Sequence, residues 1–174
     1  MYKIMLLGDS LVADYDWQSH LSSYRVQNFG VPGATSADLL ATLPAIKAKA
    51  DTADVIMVVI GTNDLLSGRE KDILPNLKTI LVRLSHDYAN AEILVNSLFP
   101  MVLSHLPAGS VENLNSQIEE LTKQTGCCYL NTHQRFVDSD KQLFQEDGVH
   151  ITAAAYSLWN RTFLEHLAFL IDND

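Results

Sequence analysis

"VIMVVI", residues 55–60, is a run of six apolar residues, mostly β-branched, between Asp54 and Gly61. A strand with one wet face alternates apolar with polar residues. This run does not, so it reads as a strand covered on both sides, as in a parallel sheet between two layers of helices. Working outward, further strand-like runs lie at 2–7, 24–28, 92–98 and 127–130, with the quoted run extending over 54–60. Between them the apolar residues fall at helical spacing: Leu39, Leu40, Leu43 and Ile46 in 35–49; Ile73, Leu77, Ile80, Leu81 and Leu84 in 71–88; Val111, Leu114, Ile118 and Leu121 in 111–125. The pattern predicts a closing amphipathic helix over 152–171, with Thr152 as its N-cap. Strand alternating with helix predicts one α/β domain over 1–174, a three-layer α/β/α sandwich on a doubly wound, five-stranded parallel sheet. The first strand is expected at the centre of that sheet.

The totals narrow the partners. A chain of 174 residues that is 47% hydrophobic and 19% charged is composed like an ordinary globular domain, and its net charge of -9 repels phosphates. No nucleic acid and no anionic membrane surface is therefore expected as a main partner. No stretch reaches the roughly 20 apolar residues of a membrane span, so no integral membrane association is expected. Residues 4–7 are too short for a secretory core, and the chain reads as cytoplasmic. Cys127 and Cys128, the only cysteines, are adjacent and read as two reduced thiols in a strand.

Doubly wound sheets bind ligands at the carboxyl ends of their strands, so site residues should stand just after strands. Four segments meet that condition: Ser10 in "GDSL" (8–11), Gly33 in "NFGVPGATS" (28–36), Asn63 in "GTND" (61–64), and Asp147 with His150 in "EDGVH" (146–150). Each has a plain reading as a helix cap or a Gly/Pro turn. Together they supply what acyl transfer needs. A serine hydroxyl requires a base, and the base requires a group that fixes its tautomer and stabilises the imidazolium. Asp147, three residues before His150, can reach back to the ring. The oxyanion then needs donors, for which the Ser10 N–H, the unobstructed Gly33 N–H and the Asn63 amide are suited.

In order and spacing these four blocks resemble those of the SGNH hydrolases, also called the GDSL lipase/acylhydrolase family. Within it the chain is most similar to the bacterial branch of platelet-activating-factor acetylhydrolase-like and small esterases. The resemblance spans residue 2 to the final helix and implies a flavodoxin-like three-layer sandwich. It also implies Ser10 as nucleophile, His150 as base, Asp147 as its orienting carboxylate, and Ser10, Gly33 and Asn63 as oxyanion-hole donors. Thr62 departs from the more usual second glycine of "GGND", and Ile151 from the proline or leucine common after the histidine. No G-x-S-x-G elbow occurs, so this is not the α/β-hydrolase arrangement of the same chemistry.

The remaining histidines, at 20, 86, 105, 133 and 166, lack a comparable setting, and no His/Cys/Asp/Glu grouping has metal-ligand spacing. No phosphate-cradling glycine motif is present, and no cofactor is expected. The apolar segment 97–109 offers Phe99, Met101, Val102 and Leu103 either as an acyl-binding surface or as packing. Leu65 and Leu66 pose the same alternative. Asp9, Leu65, Phe99, Met101 and Leu103 are the candidate substrate-lining residues. The expected activity is hydrolysis of a small or exposed carboxylic ester through an acyl-enzyme. A thioesterase or carbohydrate O-deacetylase would use the same residues, and a non-catalytic binding domain is the reading from a different class. The 97–109 segment could also pair subunits into a homo-oligomer.

Overall fold

The computed structural model describes residues 1–172. It has five strands, β1 (Lys3–Gly8), β2 (Arg25–Gly30), β3 (Val55–Val59), β4 (Glu92–Asn96) and β5 (Cys128–Leu130), each at the place expected. They form one sheet in the order β2-β1-β3-β4-β5, with every pairing parallel. The long helices are α3 (Ser36–Lys49), α5 (Glu70–Asp87), α6 (Ser110–Thr125) and α8 (Ala153–Asp172). Four short ones escape a periodicity search because none completes two turns: α1 (Ser10–Ala13), α2 (Trp17–His20), α4 (Thr62–Leu66) and α7 (Thr132–Val137). Three of the four start on a side-chain cap, since Asp9, Asp16 and Asn131 each accept a hydrogen bond from a backbone N–H of the turn that follows, while α4 starts at Gly61 without one.

The period-two geometry of strands explains the two cores. In β1 and β3, Met5, Leu7, Ile56 and Val58 enter one apolar cluster with α3, α5 and α6. Ile4, Leu6, Val55, Met57 and Val59 enter the other, with Trp17, Trp159 and Phe163 from α2 and α8. The quoted run is therefore apolar throughout because each of its faces meets a different helix layer. Thr152 begins α8 as expected, its hydroxyl accepting from the Ala155 N–H.

One expectation needs correction. β1 is not the central strand: β3 lies in the middle, and β1 stands between it and the edge strand β2. The chain reverses its winding direction between β1 and β3, and the crevice of such a sheet opens at that reversal. Gly8 ends β1 there, where a Cβ would fall 2.3 Å from the Val59 carbonyl oxygen. Only glycine lets the two strand ends come so close.

Candidate active site

Ser10 is the first residue of α1, a single turn capped by Asp9, whose Oδ1 accepts from the Leu11 N–H at 3.0 Å. So short a helix has little stability of its own. Side chains from three other elements bind its carbonyls: Trp17 Nε1 and Asn28 Nδ2 donate to Val12 O, at 2.9 and 3.0 Å, and the Tyr156 hydroxyl donates to Leu11 O at 2.8 Å. The turn that carries Ser10 is thus held from α2, β2 and α8.

His150 and Asp147 lie in a tight turn between Phe144 and Ile151, which form an antiparallel bridge. The Gln145 N–H donates to His150 O at 2.8 Å, and Gly148 takes the positive φ of 69° that the turn requires. Ile151 is buried in the α8-side core and anchors the turn, which accounts physically for the residue that follows the histidine. Asp147 Oδ1 accepts from the Val149 and His150 N–H groups, both at 2.9 Å, and its Oδ2 lies 2.5 Å from His150 Nδ1. The His150 ring N–H, together with those two backbone donors, holds the Asp147 carboxyl down at about 2. Its stabilising contribution is therefore present above the ordinary carboxylate range and is lost as pH falls toward 2.

With Nδ1–H donating to Asp147, the Nε2 lone pair of His150 faces Ser10 Oγ at 3.3 Å. That is a long contact of the kind that tightens in a substrate complex. The arrangement can move a proton from the Ser10 hydroxyl to an imidazole whose tautomer is already set. These groups are accessible, the His150 and Asp147 side chains being 43% and 48% exposed.

Gly33 and Asn63 follow β2 and β3 on the same edge. Gly33 has φ +79° and nothing within 4 Å of where a Cβ would stand, so its peptide can be approached closely. Asn63 Nδ2 donates one hydrogen to Ala34 O at 3.0 Å. A carboxamide has two N–H groups, so this bond fixes the amide and leaves the second for a ligand. Gly61, at φ +125°, lets the chain turn from β3 into α4, and Thr62 beside it is buried rather than displacing Asn63.

The proposed lining residues are placed differently from the expectation. Phe99 is 1% exposed, stacked on Phe136 and edge-on to Trp159, while Leu65 and Met101 belong to the opposite core. Leu103 is half-buried against that same core. Asp9 is also buried, bound to its own helix turn. The exposed large apolar side chains in the segments that follow β2, β3 and β4 are Val31, Leu66 and Val102. At 65–66 and 101–102 the exposed residue is the one after the candidate, since consecutive side chains point in different directions. His105, given no role by sequence, donates from Nε2 to Leu65 O at 2.8 Å and ties the 97–109 segment to α4.

Burial pushes the Asp9 carboxyl up to about 6, against the opposing Leu11 N–H, and Oδ2 has no hydrogen-bond partner. Below the ordinary value of 3.8 both folded and unfolded chains hold the proton, and no cost arises. As pH rises toward 6 the unfolded chain releases it first, and stability falls by about 3 kcal/mol at about 1.4 kcal/mol per pKa unit. Asp9→Asn keeps the capping oxygen and removes the charge. It is expected to raise the urea midpoint at pH 8 and leave it little changed at pH 4. An equal effect at both pH values would show that the carboxylate is not penalised.

Comparison with known proteins adds family and fold. The model of the GDSL-like lipase/acylhydrolase family matches residues 6–158. Among solved structures, a Streptococcus pneumonia protein provisionally described as a platelet activating factor superposes with a TM-score of 0.83 at 24% identity, covering 95% of this chain and 84% of that one. An Enterococcus faecalis lipase/acylhydrolase gives 0.79 at 19% identity, with 96% and 95% covered. An acetylxylan esterase from Geobacillus stearothermophilus gives 0.77 at 18% identity, with 94% and 93% covered. Comparison with curated proteins finds no sequence match. Among the described residues no helix is long and apolar enough to cross a membrane.

Proposed function

Since the chain belongs to the GDSL-like lipase/acylhydrolase family, we propose that it hydrolyses carboxylic esters through an acyl-enzyme on Ser10. The observation that carries this reading is the line of hydrogen bonds from Ser10 Oγ through His150 to Asp147, built from residues 140 positions apart. His150 Nε2 takes the hydroxyl proton as Oγ attacks the ester carbonyl. The Ser10 N–H, the Gly33 N–H and the free Asn63 N–H receive the charge that develops on the carbonyl oxygen. His150 then gives its proton to the leaving alcohol, and a water activated the same way releases the acid. Every proton move uses one imidazole, so no cofactor enters the scheme. The accessibility of His150 and Asp147 favours small or exposed esters.

Treatment with a fluorophosphonate probe tests the proposal directly. Covalent labelling confined to Ser10 is expected, and an unlabelled protein or a label elsewhere would remove Ser10 as nucleophile.

The depressed Asp147 carboxyl adds a pH prediction. It stays ionised throughout the neutral range, so Asp147→Asn should lower kcat at pH 6, 7 and 8 alike in direction. The expected loss is about tenfold to a hundredfold, less than for a buried orienting aspartate because water screens the pair. An undiminished kcat in the folded variant across this range would show that Asp147 does not orient the base.

A further inference from the structure

Asn63 and Asp64 are consecutive on α4, and both reach across 28 or 29 positions to the segment after Gly33. Asn63 binds Ala34 O. Asp64, only 1% exposed, accepts from the Ser36 N–H on Oδ2 at 2.8 Å and from the Ser36 hydroxyl on Oδ1 at 2.7 Å. Ser36 is fully buried, and its Oγ in turn accepts from Asn76 Nδ2 of α5 at 3.0 Å.

A buried carboxyl is an expensive way to hold a helix start, and α3 does not need one. Its N-terminus already has a reciprocal cap, Thr35 accepting from the Asp38 N–H while Asp38 accepts from the Thr35 N–H. What lacks support is Gly33, which has no side chain and no atom near its Cβ position to pack against. One hydrogen bond from Asn63 to Ala34 would let the two segments pivot. The second, from Ser36 to Asp64, removes that freedom.

On the esterase reading above, we infer that Asp64 and Ser36 form a clasp that sets the spacing between the two oxyanion donors outside the nucleophile turn, Gly33 and Asn63. Asp64 is then a positioning residue: it acts on the reaction through the oxyanion hole and touches no substrate.

The test is a double-mutant cycle read in kcat and KM for a short-chain p-nitrophenyl ester, with thermal unfolding measured for each protein. Asp64→Asn puts a donor where the clasp needs an acceptor. It is expected to lower kcat by about tenfold to a hundredfold with KM changed less than about threefold, as for misplacement of a reacting geometry. In an Asn63→Ala background, where one donor is already missing, the same substitution should cost less than about threefold, because groups that act as a unit are not additive. Ser36→Ala, a smaller change, is carried through the same cycle in case Asp64→Asn fails to fold. A loss that multiplies in full in the Asn63→Ala background, or an undiminished kcat in folded variants, overturns the clasp while leaving the esterase reading intact. A wild-type protein without Ser10-dependent turnover overturns both.

Discussion

Ser10→Ala is expected to reduce ester hydrolysis by about a thousandfold or more, the scale seen when a serine nucleophile acting with its base is removed. The size follows from the geometry. His150 has its tautomer set by Asp147 and its Nε2 aimed at Ser10 Oγ, so without the hydroxyl the imidazole has nothing to activate but water. The fold should not suffer, because α1 is held by Asp9, Trp17, Asn28 and Tyr156 and not by the serine side chain. The unfolding temperature should stay within a few degrees of wild type. Initial rates with p-nitrophenyl acetate, set beside a thermal melt, make the check. Undiminished turnover in a folded Ser10→Ala protein would end the proposed mechanism.

The second large effect is expected at Asn63. Losing one oxyanion donor costs on the order of a hundredfold to a thousandfold in kcat. Asn63→Ala also removes the bond to Ala34 O, a loss of about 1 kcal/mol in stability. The two consequences separate by measurement. If Asn63 donates to the oxyanion, turnover per folded molecule falls with KM little changed, and Asn63→Asp, of equal size but without the donor, does no better. If Asn63 only braces the loop, the melt shifts while kcat of the folded fraction survives.

Substrate identity turns on the alcohol and acyl sides, which are shaped by loops. A panel of acyl chain lengths, thioesters and acetylated sugars, run on wild type against Ser10→Ala, would sort ester hydrolysis from thioester hydrolysis and sugar deacetylation. Val31, Leu66 and Val102 are exposed in the segments after β2, β3 and β4, and a preference for longer acyl chains that falls when they are made polar would place the acyl group against them.

The sheet was legible because its signal is local. Residues 55–60 carry no polar position, and a run of that kind suits a strand roofed by helices on both faces. The positions after the strand ends also followed from the sequence, since a parallel sheet brings all its carboxyl ends to one edge. The short helices were not legible by period, as a turn of four residues shows no repeat; the structure shows three of them starting on the caps Asp9, Asp16 and Asn131.

What the sequence by itself determined is the alternation of strand and helix, the parallel sheet, the family, and the residue types available at one edge. Each depends on patterns within a few residues or on motifs in order. Only the tertiary structure decided that β1 lies beside the middle strand, that Leu65, Phe99 and Met101 turn into the cores while Leu66 and Val102 face water, and that Asp64 closes on Ser36. Those outcomes rest on contacts between segments far apart in the chain, where burial and hydrogen-bond partners are set by what packs opposite and not by the neighbours in sequence.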